Sequence, residues 1–539
     1  MTLFQDEIKR RRTFAIISHP DAGKTTMTEK LLLYSGQIHM AGSVKARRAK
    51  KHAISDWMEL EKEKGISITS SVLQFEYAGL VLNLLDTPGH ADFSEDTYRV
   101  LTAVDSALML IDHSKGVEPQ TRKLFAVCRS RRIPIFTFMN KLDRAGQDPY
   151  DLMHEIESIF GVECVPINFP VGRGGRDFKG VCDLRTRMAT LLKDTQHGTR
   201  EGEMLRISID DPQFLTQVGA EIRDQLLEDL EMLNSAGNVA DPAKLATGDQ
   251  TAVFWGSAMT NFGVQPFLET FVHLAPAPHA RQTKQRNVNP EEEDFSGFIF
   301  KIQANLDPRH RDRIAFMRIC SGLYKSGMRA VITRTGKDIK ATPPQQFLAQ
   351  ERKQIEQAYP GDIVGVYDPG IFHIGDTITT AKDVEFDDVP VFSPEMFGKV
   401  ILTNPLKRKQ LQTGLRQLTE EGAIQLFQRW SADDLEPILG AVGELQFVVM
   451  EYRLKAEYGA EICFEMMPYR FARWLSGPEA ALQSCIDKNK KQILRDRWDN
   501  PVLLFESEWQ ISFQKDKNPD LTFHDTHRKK IAASPYPQH

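Results

Sequence analysis

Cysteine is scarce and unpaired in this chain: six among 539 residues, at 128, 164, 182, 320, 463 and 485. None forms a C-x-x-C pair, so the spacing of a zinc ribbon is excluded, no disulfide framework is indicated, and a reducing compartment is expected. Long apolar runs are missing too. No stretch approaches the roughly 20 residues that a membrane span needs. The opening "MTLFQDEIKRRRTF" has a basic cluster without the apolar segment of a secretory leader. A cytoplasmic protein with no membrane partner is therefore expected. Charge of one sign is also lacking: 68 Lys and Arg against 73 Asp and Glu leave a formal net charge of -5. That excludes an overall basic polyanion binder, though not local basic patches. No internal repeat or low-complexity tract is visible.

What is present is alternation. From 13 to about 279, apolar strand candidates ("FAIIS", "LVLNLL", "ALMLI", "IPIFTFM", "AVFWG") are interleaved with helical stretches such as "TMTEKLLLYS" and "PQTRKLFAVCRSRR". This pattern predicts a mostly parallel sheet with helices on both faces. It becomes irregular and charged between about 165 and 250, where an inserted subdomain is expected. The Pro-rich, charged stretch 273–295 contains the expected linker, 280–294. Short strand-like runs from 295 to 386 predict a β-barrel, and the mixed pattern of 387–539 an α+β domain with a C-terminal tail, "SPYPQH".

Residues 18–26, "SHPDAGKTT", follow the first apolar strand and open a helix. A phosphate loop usually begins with Gly where this chain has Ser18, a tolerable change if Ser18 still belongs to the strand. The candidate nucleotide-binding residues are then Ser18, His19, Pro20, Asp21, Ala22, Gly23, Lys24, Thr25 and Thr26, with backbone N–H groups around Asp21 to Thr26 facing the phosphates and the helix dipole behind them. Lys24 would reach the β- and γ-phosphates, and the Thr25 hydroxyl would ligate Mg²⁺. "LLDTPGH" puts Asp86 at the end of another strand, followed by Thr87, Pro88, Gly89 and His90. Asp86 is suited to hold Mg²⁺ through water while the Gly89 amide senses the γ-phosphate.

"FMNKLDR" adds Asn140, Lys141, Leu142 and Asp143 after a third strand. Guanine offers N1–H and the N2 amino group side by side, and one carboxylate, Asp143, accepts both. Asn140 would address the opposite edge and the Lys141 stem would pack on the ring. Adenine lacks the donor pair and would leave Asp143 unpaired. In "WGSAM", Ser257 and Ala258 would close over the guanine oxygen. Each element ends a predicted strand, where open α/β sheets bind ligands. The nucleotide indicated is GTP or GDP with Mg²⁺.

These motifs, with "KGISITSS" at 64–71, resemble the translational GTPases. The resemblance implies that Ser67 supplies the first-switch hydroxyl to Mg²⁺ and that His90 orients the attacking water. "DPRHRDRIAFMRICSG" (307–322) and "LGAVGELQFVVMEYRLKAEYG" (439–459) are similar to the second and third domains of the family's translocase-like branch. Only 64 residues follow Leu475, too few for the two further domains of a translocase. The arrangement is similar to that of the bacterial class II release factors.

The resemblance implies a ribosome-stimulated GTPase acting in translation termination. Its partners would be the ribosome, through RNA and proteins, and the codon-reading class I release factors, with the chain itself a monomer. Three rivals are disfavoured: a translocase-like or rescue GTPase by the chain length, a nucleotide-dependent binding module without turnover by His90, and an ATP kinase by Asn140-Lys141-x-Asp143. The basic runs "IKRRR" (8–12) and "KARRAKK" (45–51) suit either RNA phosphates or a solvated surface. "YRFARW" (469–474) reads as third-domain packing, and His113 and His310 lack ligand partners at metal spacing.

Overall fold

The computed structural model describes residues 3–37, 61, 67–192, 204–237, 239–304, 313–348, 351–387, 389, 391–430 and 436–527. The basic run 45–51, residues 64–66 and 307–312 (His310 among them) and the tail 534–539 lie outside the described residues.

The elements that carry the N-terminal module are β1 (Arg11–Ser18), β2 (Ser71–Tyr77), β3 (Leu80–Asp86), β4 (Ser106–Asp112), β5 (Ile135–Asn140), β6 (Glu163–Pro166) and β7 (Gln250–Trp255). They lie in the order β2-β3-β1-β4-β5-β7-β6, with β2 antiparallel to β3 and every other neighbour parallel. The apolar runs are continuous because both faces are covered. Along β1, Phe14 and Ile16 enter one core while Ala15 and Ile17 enter the other. Helices α1 (Lys24–Tyr34) and α5 (Val264–Leu274) cover the first face; α2 (Ser94–Leu101), α3 (Pro119–Ser130) and α4 (Pro149–Phe160) cover the second.

On the α5 side, Phe271 meets Phe14 edge-on at 4.8 Å and Phe136 at 5.0 Å, and stacks on Phe267 at 5.1 Å. Truncating so enclosed a ring to alanine costs about 3–5 kcal/mol. The irregular stretch after β6 forms a four-stranded antiparallel sheet (168–171, 180–183, 188–192 and 204–208) with helices at 212–218 and 220–236.

A barrel follows, with strands Ser296–Ala304, Arg313–Ser321 and Ile363–Tyr367 among its walls. It is fixed to the first module by buried charge pairs. Arg318 donates to Asp105 Oδ2 at 2.6 Å and Arg11 to Asp362 Oδ1 at 2.8 Å. In the stretch read as a linker, Arg281 donates to Asp105 Oδ1 and to the carbonyls of Thr102 and Val104. Burial alone would disfavour ionised Asp105, but Arg318, Arg281 and His279 hold its carboxyl below the ordinary range. Removing one partner of such a pair costs about 3–5 kcal/mol.

The C-terminal region is one eight-stranded antiparallel sheet made of two β-α-β-β-α-β halves, within 396–467 and 471–524. In each half the fourth strand lies beside the first and the third beside the second, the ferredoxin-like order. The first half carries α6 (Arg408–Glu420) and α7 (Glu444–Tyr458). In "YRFARW", Ala472 and Trp474 are buried in the sheet's core, with the Trp474 indole N–H donating to Asp496. Among the described residues no helix is long and apolar enough to cross a membrane.

Candidate nucleotide site

Four loops emerge at the C-terminal ends of β1, β3, β5 and β7, and the parallel register places them along one sheet edge. Ser18 closes β1 in register with Leu110 and is absent from the positive-φ residues. The left-handed positions are Asp21 (φ 64) and Gly23 (φ 98). Gly23 is sterically required as well: a Cβ there would lie 2.3 Å from Asn140 Nδ2. The Ser18 hydroxyl and His19 Nδ1 are buried with no hydrogen-bond partner among the described residues, while His19 Nε2 lies 3.0 Å from Glu118. Lys24, Thr25 and Thr26 form the first turn of α1.

Lys24 Nζ meets Asp86 Oδ1 at 2.5 Å, with both side chains buried. The ammonium of the phosphate loop and the carboxylate at the end of β3 thus face one space. The turn after Asp86 is held from behind: Thr87 Oγ1 donates to the Ile16 carbonyl at 2.7 Å, and Thr97 Oγ1 to that of Pro88 at 3.2 Å. A Cβ on Gly89 would come within 3.6 Å of Pro20, so this turn and the phosphate loop are in near contact. His90 is half-buried; its Nδ1 accepts from the Asp92 backbone N–H at 3.2 Å.

At the other end, Asn140 spends both polar atoms within the protein. Nδ2 donates to the Ala22 carbonyl at 2.8 Å and Oδ1 accepts from Ala258 N–H at 2.9 Å. It pins the phosphate loop to the 257–258 turn, and one N–H remains for a base edge. Asp143 Oδ1 accepts from Ser257 Oγ at 2.6 Å, and Leu142 N–H donates to the Gly256 carbonyl. Lys141 has φ 70 and sends its ammonium to Asp112 Oδ2 at 2.7 Å. Burial opposes ionised Asp112, but hydrogen bonds from Lys141 and Ser114 outweigh it and hold the carboxyl below the ordinary range.

Asp112 is the residue that the sequence reading missed. Its signal was an acid closing the apolar strand "ALMLI", directly opposite Asn140 in the β4–β5 register. Ser67 opens the described stretch that leads into β2; Ile68 and Thr69 after it donate to Glu61, and Ser70 N–H to Asp96. His113 is buried, its Nε2 2.8 Å from the Gln147 carbonyl.

Beside Lys24, the hydroxyl of Thr25, next in the chain, and the buried carboxylate of Asp86 fit a hard divalent cation such as Mg²⁺. Among the described residues no cluster of three His, Cys, Asp or Glu could hold a metal by itself.

Phosphate loop, strand-end carboxylate and base-side loops on one parallel sheet, followed by a barrel, define a multidomain GTPase. Residues 9–277 match the family described as Elongation factor Tu GTP binding domain, 294–381 match Elongation factor G domain 2, and 386–515 match Class II release factor RF3, C-terminal domain. Peptide chain release factor 3 of Symbiobacterium thermophilum is 52% identical over 98% of this chain and 99% of its own length. Its counterpart from Acaryochloris marina is 51% identical over 96% of each. A solved structure, ttk003000868 from Thermus thermophilus, shares the fold with TM-score 0.68 at 22% identity, over 87% of this chain and 71% of that one. The chain belongs to the peptide chain release factor 3 family. It is a GTP-hydrolysing translation termination factor.

Proposed function

We propose that the strand-end loops hold GTP with its phosphates at residues 18–26 and its base at residues 140–143 and 257–258. On this reading Lys24 pairs with the β- and γ-phosphates. Asp143 takes the guanine N1–H and N2 donors with its free lone pairs while Ser257 fixes the carboxylate from the side. Thr25, Ser67 and Asp86 hold Mg²⁺, which when bound neutralises phosphate charge. The Gly89 amide reads the γ-phosphate, and His90 orients the water that attacks it. The observation that carries this reading is the convergence of Lys24 and Asp86 at one end of the sheet edge while Asn140 ties the phosphate loop to the base-side turn at the other.

In its GTP form the protein docks on the ribosome after peptide release and speeds departure of the codon-reading class I release factor. It then hydrolyses GTP and leaves. It acts as a cytoplasmic monomer and does not itself release peptide, since the sequence contains no Gly-Gly-Gln. Loss of the γ-phosphate frees the segments that it held, the usual way such switches relax. Accelerating departure a hundredfold needs about 2.7 kcal/mol of differential binding between two ribosome states. The test is the lifetime of labelled class I factor on post-release ribosomes. The lifetime should shorten with the GTP-loaded protein; an unchanged lifetime refutes the reading and reopens the rescue and translocation alternatives.

A further inference from the structure

We propose that Asp92 is a positioning residue that couples the docking of the C-terminal region to the geometry of His90. The inference rests on the reading of His90 given above and extends it to a residue on each side of the interface.

Helix α7 begins at Glu444 with Gly443 as its N-cap, and glycine has no side chain with which to bond the open N–H groups of the first turn. The acceptor comes from the other module. Asp92 Oδ2 accepts from Leu445 N–H at 2.9 Å, across a separation of 353 residues. The approach requires glycine at 443, where a Cβ would lie 2.1 Å from Asp92 Cγ. The second oxygen of the same carboxylate, Oδ1, lies 3.2 Å from His90 Nδ1 and accepts from the ring when that nitrogen carries the proton; in the other tautomer Nδ1 accepts from the Asp92 backbone N–H instead. One short side chain therefore touches both the imidazole and the first turn of α7.

The surrounding contacts make this junction a seam. Phe93 packs with Ile68, from the stretch after Ser67, and with Val449 of α7. Arg99 donates to the Gly422 carbonyl at 2.8 Å. Seating α7 against this turn fills the cap, fixes the Asp92 rotamer and so fixes the imidazole. Withdrawing α7 frees Asp92 to turn away, and His90 loses its lateral support. Hydrolysis is thereby made dependent on where the C-terminal region sits.

The test uses the full chain with ribosomes and reads two quantities, GTP affinity and the stimulated kcat. Asp92→Ala should lower the stimulated kcat about tenfold, the scale of a lost helix cap, with GTP affinity unchanged. Asp92→Asn keeps an acceptor oxygen for Leu445 and should recover most of that loss. Gly443→Ala displaces the carboxylate by rotation and should reproduce the alanine defect from a site remote from the nucleotide. Its thermal unfolding should stay close to that of the parent. In the double variant Gly443→Ala should add nothing to Asp92→Ala, because both remove one contact. Full stimulated turnover in Asp92→Ala and Gly443→Ala, effects that multiply in the double variant, or an equal fall in GTP affinity would overturn the proposal. His90→Ala, run alongside, separates the two readings. If it turns over at the full rate, the role of His90 is wrong; if it is inactive while the other variants are unimpaired, only the coupling is wrong.

Discussion

At the base end of the site, Asn140, Leu142, Asp143, Ser257 and Ala258 bond to one another's loops and to Ala22, all inside the N-terminal module. At the phosphate end, the turn after Asp86 sends bonds outward, with Asp92 reaching Leu445 and Phe93 packing on Val449. The first arrangement is preorganised by the module itself, so base selection should not depend on the position of the other regions. The second is shared across an interface, so its geometry changes with that interface. On the proposed reading, recognition and hydrolysis therefore fall to parts of the protein with different dependences.

The largest expected effect breaks the phosphate end alone. His90→Ala should lower ribosome-stimulated turnover by about 10²–10⁴-fold, the usual span for removing a residue that manages a proton or water in the transition state. GTP affinity should hold, because on the proposed reading the imidazole acts on the water rather than on the bound nucleotide. Lys24→Ala should behave oppositely and fail in binding. Single-turnover phosphate release and equilibrium binding with a fluorescent GTP analogue distinguish the two.

Next comes the base end. Asp143→Asn should cost about 2–4 kcal/mol of GTP affinity by removing a bidentate charge-assisted pair. It should favour xanthosine triphosphate, whose extra carbonyl meets the new amide donor. If the base end is as independent as its bonding implies, that switch should be equal in size in the absence and presence of ribosomes. A ribosome-dependent switch would break the comparison. Unchanged GTP affinity would remove Asp143 from the site.

The strand-end motifs were legible because phosphate and guanine chemistry demands particular residues at short spacing: Gly23-Lys24-Thr25, Asp86 before a turn, Asn140 through Asp143. The parallel sheet was legible from runs such as 14–18 and 107–111, apolar because both their faces are covered. What joins the motifs was not. Asn140 reaches Ala22 and Ala258, each 118 positions away, and no local pattern announces an amide with both ends engaged. Asp112 becomes a partner of Lys141 only once β4 lies beside β5. Gly443 looks like an ordinary turn glycine until Asp92 is found against it. The two ferredoxin-like halves escaped notice for a related reason: that architecture needs matching apolar patterns, not matching residues.

A smaller effect joins the two ends. Gly23→Ala forces a side chain onto φ 98 and into Asn140 Nδ2, 2.3 Å away. Strain of that kind is worth about 1–3 kcal/mol, and it should appear as weaker GTP binding and a lower unfolding temperature together. Stimulated kcat at saturating GTP should change little, since the 86–93 turn is anchored elsewhere. A kcat loss as deep as that of His90→Ala would mean that the ends are more tightly joined than their bonding indicates.

The smallest expected effect tests the charge behind the base end. Asp112→Asn removes the ion pair with Lys141 while leaving an oxygen for Ser114, and should cost about 1 kcal/mol in stability. The sign of its pH dependence follows from the depressed carboxyl of Asp112. A carboxyl with a lower pKa in the folded than in the unfolded chain contributes fully above the unfolded value of about 3.9, and the contribution disappears as pH falls through the folded one. The difference in unfolding temperature between parent and variant should therefore be flat from about pH 8 to pH 5 and shrink below about pH 4. A difference that grows on acidification would mean that the Lys141 pair is not what holds the Asp112 proton off. Lys141 would then be free to pack on the base with its whole stem, as the sequence alone suggested.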